Sequence, residues 1–476
     1  MTRKDDPNSF LSRPVSQVGN GLLFLIFFLA SVWLQYPGHL SSDSVTVWYE
    51  ARHAVHFSPH PVTMALILRL LDKLVPGPGL YTIMELSVLW LAICIFVRVT
   101  RPNYLIAIAL YTFVLVYPPI LATYGLLEKD VLSTHLAALA CILVMRAPIS
   151  GRHAMFLWAA ACTLTAIASL IRYQFAIVTM ALLVWLWWRG RTEKISSKEI
   201  RSILAACLGS CILAAGLILA CVAMTFKMED NIVARMQERG NNVGHSDFER
   251  SVRKIYVYDI AGIVVGNPQA KLQVFAANHL DADKLKAIAT NLYGTDKVDS
   301  LWVPGGLFAQ LRNTPTSVIA QQWRQSVISS PGSLIRHHIR TFGRLLGLGG
   351  VYMCFPVIAG LDYNPPELAA DLRVQDYKPA MSTALLTSRY FPVTPLFPAA
   401  IYLVLSFAIL AGCLKLGRME GVFLSASGLV YEFTFILLPQ SCDVRYSYFM
   451  ILMSVISAFF LLTPRSITQD RTIASI

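Results

Sequence analysis

Long apolar runs constrain this chain more than any other feature. Ten stand out, at residues 19–35, 79–97, 104–121, 131–145, 154–171, 175–188, 203–226, 395–414, 421–438 and 446–462. A helix needs about 20 apolar residues to cross the hydrocarbon core, where its backbone groups must bond within the segment. Several runs fall short of that length, so tilts or extensions are expected at their ends. Composition agrees: 55% of the 476 residues are hydrophobic and 14% are charged. The expected fold is an all-α integral membrane protein with about ten transmembrane helices.

The formal net charge is +12. The basic residues sit mostly between the apolar runs, as the positive-inside rule requires, so no nucleic-acid partner is expected. Arg3, Lys4 and Arg13 precede the first run; Arg98 and Arg101, Arg146 and Arg152, Lys415 and Arg418, and Arg465 and Arg471 occupy alternate connections. The stretch 189–201 adds five basic residues against two glutamates. Both termini are therefore expected in the cytoplasm of an inner (plasma) membrane protein. The first run follows a basic tail without a small-residue cleavage site and reads as a retained helix.

Three parts follow: an N-terminal transmembrane module (1–226), an extracytoplasmic, mainly helical domain (227–394) and a C-terminal transmembrane module (395–476). Most of the nine cysteines read as small buried hydrophobes. Cys354 and Cys442 fall on the outer side, where pairing is open to them but not required.

Ionisable residues at the mouths of spans are costly to hold, so they are functional candidates. They collect on the expected outer face. The first outer loop, 36–78, contains Ser41-Ser42-Asp43-Ser44. There Ser42 can cap an amphipathic helix with Asp43 in its first turn. Asp43 either stabilises the positive helix end or serves as a general base whose proton affinity is raised by desolvation. His53, His56 and His60 follow, but Pro59 and Pro61 break the geometry of a metal trio, so interfacial histidines are expected. A second, interfacial helix follows over 66–75.

Glu128-Lys129-Asp130 stands at the start of the fourth run. With Asp43 it forms a pair of carboxylates suited to acid/base work or to a divalent cation such as Mg²⁺ or Mn²⁺. Arg172 lies in a tight outer turn. Arg445 opens the last run behind Asp443. An arginine at this depth can snorkel, or it can clamp a lipid phosphate bidentately. Glu85 and Glu432 are the clear charges within runs.

The order of these motifs resembles bacterial GT-C-type glycosyltransferases, multi-span enzymes that use a polyprenyl-phosphate sugar. The resemblance rests on Pro37-Gly38-His39-Leu40-Ser41-Ser42-Asp43-Ser44, on His60-Pro61, on Lys129-Asp130, and on Asp443-Val444-Arg445-Tyr446. Tyr258-Asp259-Ile260 and the stretch from Trp323 to Arg336-His337-His338 look like a variable outer domain. The resemblance implies that Asp43 deprotonates an acceptor hydroxyl and that Asp130 positions the acceptor or a metal. Arg172 and Arg445 are expected at the donor phosphate, with His60, Glu128, Lys129, Asp443 and Tyr446 at the acceptor or behind the reacting groups. The partners implied are a polyprenyl-phosphate sugar donor, an envelope glycan or lipid acceptor, and the bilayer. Beyond the lipid carrier and an optional divalent ion, no cofactor is expected.

Two rivals remain. A lipid-linked oligosaccharide polymerase or ligase would lean on Arg336, His337, His338 and Arg340. A transporter or flippase would place charges deep inside its spans and break helices at mid-membrane.

Overall fold

The apolar runs fold as helices whose ends are set by local chemistry. The computed structural model of the protein describes residues 13–58, 60–225, 227–228, 247–349, 357–388, 391, 395–438 and 441–464. It is about 74% helical, and among the described residues the only paired strands are Val55–His56 and Lys227–Met228, which run parallel.

The N-terminal module contains α1 (Gln17–Gln35), α2 (Ser42–His53), α3 (Val62–Leu74), α4 (Gly79–Thr100), α5 (Tyr104–Val116), α6 (Lys129–Met145), α7 (Gly151–Ile171), α8 (Ala176–Thr192) and α9 (Ser197–Thr225). The segment 227–394 contributes α10 (Asp247–Gly266), α11 (Ala282–Leu292), α12 (Thr316–Ser329) and α13 (Pro331–Leu345). The last module holds α14 (Ala399–Lys415), α15 (Met419–Leu437) and α16 (Tyr448–Leu462).

Six segments are long and apolar enough to cross a membrane: α1, α4, α7, α9, α15 and Val444–Leu462, which ends in α16. α5 and α14 are apolar but shorter. The other two expected spans form α6 and α8, each of 17 residues. In α6 nearly every side chain is buried, including Ser133, Thr134 and His135. Its surroundings are protein, so it can carry polar groups that a lipid-facing helix could not. α1 and α9 are the opposite, with only 11% of their apolar windows buried.

Three boundaries differ from the sequence expectation. α5 stops at Val116, and Pro118–Leu121 makes a separate turn. Proline lacks the donor needed to continue the helix. Ser41 rather than Ser42 caps α2, in a reciprocal capping box with Ser44. α3 begins directly after Pro61 instead of near residue 66.

The main apolar core runs through the bundle and takes in Phe342, Leu345, Leu368, Leu372 and Leu386 from the segment 227–394. A second core, with Tyr258, Phe275, Leu301, Phe308 and Ile319, belongs to that segment alone. The segment is thus partly a separate unit and partly a cover packed onto the bundle. Residues 347–360 form an apolar run that the sequence allows to re-enter or lie on the membrane; half of it, 350–356, lies outside the described residues, as does Cys354. Cys442 is disulfide-bonded.

Candidate active site

Backbone pairing brings the loop after α1 against the loop before α6. The Gly125 carbonyl accepts from His39 N–H at 2.8 Å, and the His39 carbonyl accepts from Leu127 N–H at 2.9 Å. Gly38 makes this possible, since its φ is +110° and a Cβ there would run into the side chains of Leu127 and Thr82. The His39 ring is fully buried and ties the loop to the rest of the protein. Its Nδ1 accepts from Gly360 N–H at 2.9 Å, while Nε2 contacts Gln35 Oε1 at 2.7 Å and Ser382 Oγ at 3.0 Å. Burial lowers the His39 pKa to about 4, so the ring is neutral and acts as a fixed connector.

The paired loops set Asp43 beside Glu128. Ser41 donates its hydroxyl to Glu128, and Ser44 donates to the Leu127 carbonyl at 2.5 Å. A second connection carries His60 inward: buried Glu50 accepts from the N–H groups of Phe57 and Ser58 at 2.7 and 2.6 Å. The three histidines therefore part company. His53 contacts Asp371 at 2.6 Å, His56 lies 3.3 Å from Glu50, and only His60 reaches the site.

Arg445 is the hub. Its guanidinium pairs with Glu128, lies 2.9 Å from Asp443 Oδ2 and 3.4 Å from Asp43 Oδ2, and is 3.9 Å from Asp130 Oδ2. Asp443 also accepts from Arg445 N–H at 3.0 Å, which fixes the turn that delivers the side chain. Arg172 pairs with Asp130 and stacks over the Tyr446 ring at 4.6 Å. The Arg445 guanidinium thus approaches both carboxylates of the pair expected to share a divalent ion. The nine residues that the resemblance places at the site meet in this cluster. Asp43, at 36% side-chain exposure, is its open member; Arg172 and Asp130 are sealed at 5% and 1%.

Lys129 donates to His60 Nδ1 at 2.9 Å rather than to a carboxylate. The proton of a neutral His60 then sits on Nε2, which faces Asp43 Oδ1 at 3.6 Å. Burial, with Lys129 beside it, lowers the His60 pKa to about 3 in spite of Asp43.

The expectation for Asp43 needs correction. Burial does push its pKa up, but His60, Lys129, Arg445 and Lys254 together hold it well below the usual carboxylate range. Because a third of the side chain is open, solvent weakens each of these influences. Asp443 goes the other way: burial raises its pKa to about 6 against the pull of Arg445. The two carboxylates therefore separate into one held ionised and one that takes up a proton near pH 6.

Sequence reasoning missed Lys254, which acts on Asp43 from α10. A lone lysine on an amphipathic helix carries no signal of that role. It also missed Asp259 near His337 and His338, which approach one another only in the fold.

Fold and site together define an all-α membrane protein with a charge-dense cluster against one open carboxylate. The chain matches no protein-family model, and no curated protein and no solved structure is significantly similar to it.

Proposed function

We propose that the protein is a membrane glycosyltransferase that moves a sugar from a polyprenyl-phosphate donor to an envelope glycan or lipid on the extracytoplasmic face. The observation that carries this reading is the convergence of four short motifs, up to 402 residues apart, around Asp43. The disulfide at Cys442 supports an outer, oxidising location for that end of the bundle.

In this reading Asp43 accepts the proton of an acceptor hydroxyl. The freed oxygen attacks the anomeric carbon, the bond from that carbon to the phosphate oxygen breaks, and its electron pair leaves with the lipid phosphate. The configuration inverts. Asp43 is a weak base while four cationic or neutral partners surround it. A donor phosphate would engage Lys129 and the outer edge of Arg445, withdraw their influence, and strengthen the base only when the donor is present. Arg172 is committed to Asp130 and serves to hold it in place. Asp130 in turn steadies Arg445.

The polymerase or ligase reading has less support, because buried His337 and neighbouring His338 face Asp259 rather than an open surface. The test is Asp43→Asn, assayed for transfer from a synthetic polyprenyl-phosphate sugar after confirming membrane insertion and melting behaviour. Loss of a general base costs about 10²–10⁴ in rate. A well-folded variant with full activity rejects the assignment. Glycan mass spectrometry of a deletion strain separates the alternatives: a missing single sugar fits transfer, a missing polymer fits the polymerase, and accumulated lipid-linked precursor fits a flippase.

A further inference from the structure

We propose that Asp259, His337 and His338 form a site for a divalent ion of the zinc class, independent of the carboxylate cluster and of the reaction proposed for it. Asp259 comes from α10, and the two histidines come from adjacent positions on α13. Asp259 Oδ1 lies 3.0 Å from His338 Nε2 and 3.5 Å from His337 Nε2, and all three ligand atoms fall within 4.8 Å of one another. A tetrahedral ion with bonds of about 2.0–2.1 Å holds its ligands about 3.3 Å apart, so these separations bracket the requirement.

The outer nitrogens are already oriented. His338 Nδ1 contacts the Ile436 carbonyl at 2.7 Å, and only a ring N–H can donate to it. A neutral His338 therefore turns a bare Nε2 lone pair toward the Asp259 carboxylate. His337 Nδ1 bonds Tyr293 Oη at 2.7 Å, and Asp259 Oδ2 accepts from Trp323 Nε1 at 2.8 Å. Such carbonyl and side-chain partners behind each ligand are what metal-binding histidines and carboxylates require. Gly262, one turn along α10 from Asp259, leaves the space that the His337 ring fills.

One atom favours a metal over a simple ion pair. His337 has a side-chain exposure of 0%, and its Nε2 has no hydrogen-bond partner among the described residues. A proton on His338 would satisfy Asp259 and leave His337 Nε2 with only a long approach to Asp259 Oδ1, at 3.5 Å. An ion between the three atoms satisfies all of them. Two imidazoles and one carboxylate favour zinc and its neighbours over magnesium or calcium. The ion would lock α10 to α13 and, through the Ile436 carbonyl, to the end of α15. α10 is also the helix that carries Lys254.

The experiment uses the full chain, purified in detergent without a polyhistidine tag, stripped with EDTA and reloaded with Zn²⁺ or Co²⁺. The expected result is about one equivalent of zinc by mass spectrometry and a four-coordinate visible spectrum with cobalt. His338→Gln and Asp259→Asn should each weaken binding at least tenfold, which is about the scale on which metal sites respond to lost partners. The wild-type protein should melt lower in EDTA than in zinc, a measurement that needs no variant to fold. Zinc absent at micromolar concentration with melting unaffected by EDTA overturns the proposal. Zinc kept at full occupancy in both variants also overturns it, since the ion would then lie elsewhere.

Discussion

Two polar clusters sit where the segment 227–394 meets the helix bundle, and they handle charge in opposite ways. Around Arg445, four carboxylates share two guanidiniums, with Lys129 and Lys254 close enough to bear on Asp43. Asp43 is left 36% exposed. Around Asp259, one carboxylate and two imidazoles face inward, with side-chain exposures of 2%, 0% and 15%. The first cluster is balanced by pairing and keeps one group within reach of a ligand. The second is closed, and its three candidate ligand atoms lie within 4.8 Å of one another. A charged group at a membrane surface stays either because opposite charges neutralise it or because a cation joins it to its neighbours. Pairing leaves room for chemistry at the edge, whereas convergence holds helices together.

Arg445 is the group on which the first cluster depends most. Its side chain is 10% exposed and serves four carboxylates. Removing one partner of a buried ion pair costs about 3–5 kcal/mol, because the remaining charges stay buried without compensation. Arg445→Ala should therefore lower the melting temperature and the yield of folded protein sharply. Arg445→Lys should recover part of the stability but little transfer, since an ammonium cannot fork between carboxylates. If Arg445→Ala melts with the wild type, the cluster is not held by pairing and the contrast with the Asp259 site fails.

The membership of the first cluster is largely legible in the sequence. Alternation of basic turns sorts the loops onto two faces, and the costly residues Asp43, Glu128, Lys129, Asp130, Arg172, Asp443 and Arg445 then fall on the same one. Their pairing is not legible. That Arg172 takes Asp130 and stacks on Tyr446 depends on helix packing, which no spacing encodes. Nor does hydropathy reveal that α6 is enclosed by protein, although its mixture of Ser133, Thr134 and His135 with apolar residues is what such a position permits. The Asp259 site is hidden for a simpler reason. Its ligands are separated by some 80 positions and share no zinc-type motif. In the sequence, His337 and His338 stand out only as part of a variable outer domain and, with Arg336 and Arg340, as residues a polymerase or ligase would use.

Acid separates the sealed rings of the first cluster from its carboxylates. His39 and His60 are neutral in the folded protein, with pKa values lowered to about 4 and about 3. Their unfolded counterparts bind a proton near pH 6.5. Stability from these rings is complete above pH 6.5 and is lost as pH falls through 6.5 toward those values. For His39 alone the loss is of order 3 kcal/mol. Asp443 acts with the opposite sign. Its pKa is raised to about 6, so its contribution is present below the ordinary carboxylate range and fades as pH rises through 6. The two histidines outweigh it on the acid side. Chemical denaturation from pH 7 to pH 4 should show a marked decline, and His39→Gln should flatten it. A profile that is flat in the wild type would show that neither ring is sealed.

The smallest effect is the most specific. Lys254 reaches the carboxylate cluster from α10, the same helix that supplies Asp259, and it is one of the charges that hold the Asp43 pKa down. Lys254→Gln removes that influence. The Asp43 pKa must then rise, and the acid limb of kcat for the proposed transfer, which reports the donor-bound enzyme, must move to higher pH. The move should be small because Asp43 is partly exposed and screened. It should shrink further with added salt, since the Debye length is about 8 Å at 0.15 M and about 3 Å at 1 M. Lys254→Arg keeps the charge and should restore the wild-type profile. A purely structural role for Lys254 would change the height of the profile at every pH and leave its midpoint in place. A midpoint that shifts with charge and salt makes α10 part of the electrostatics of Asp43.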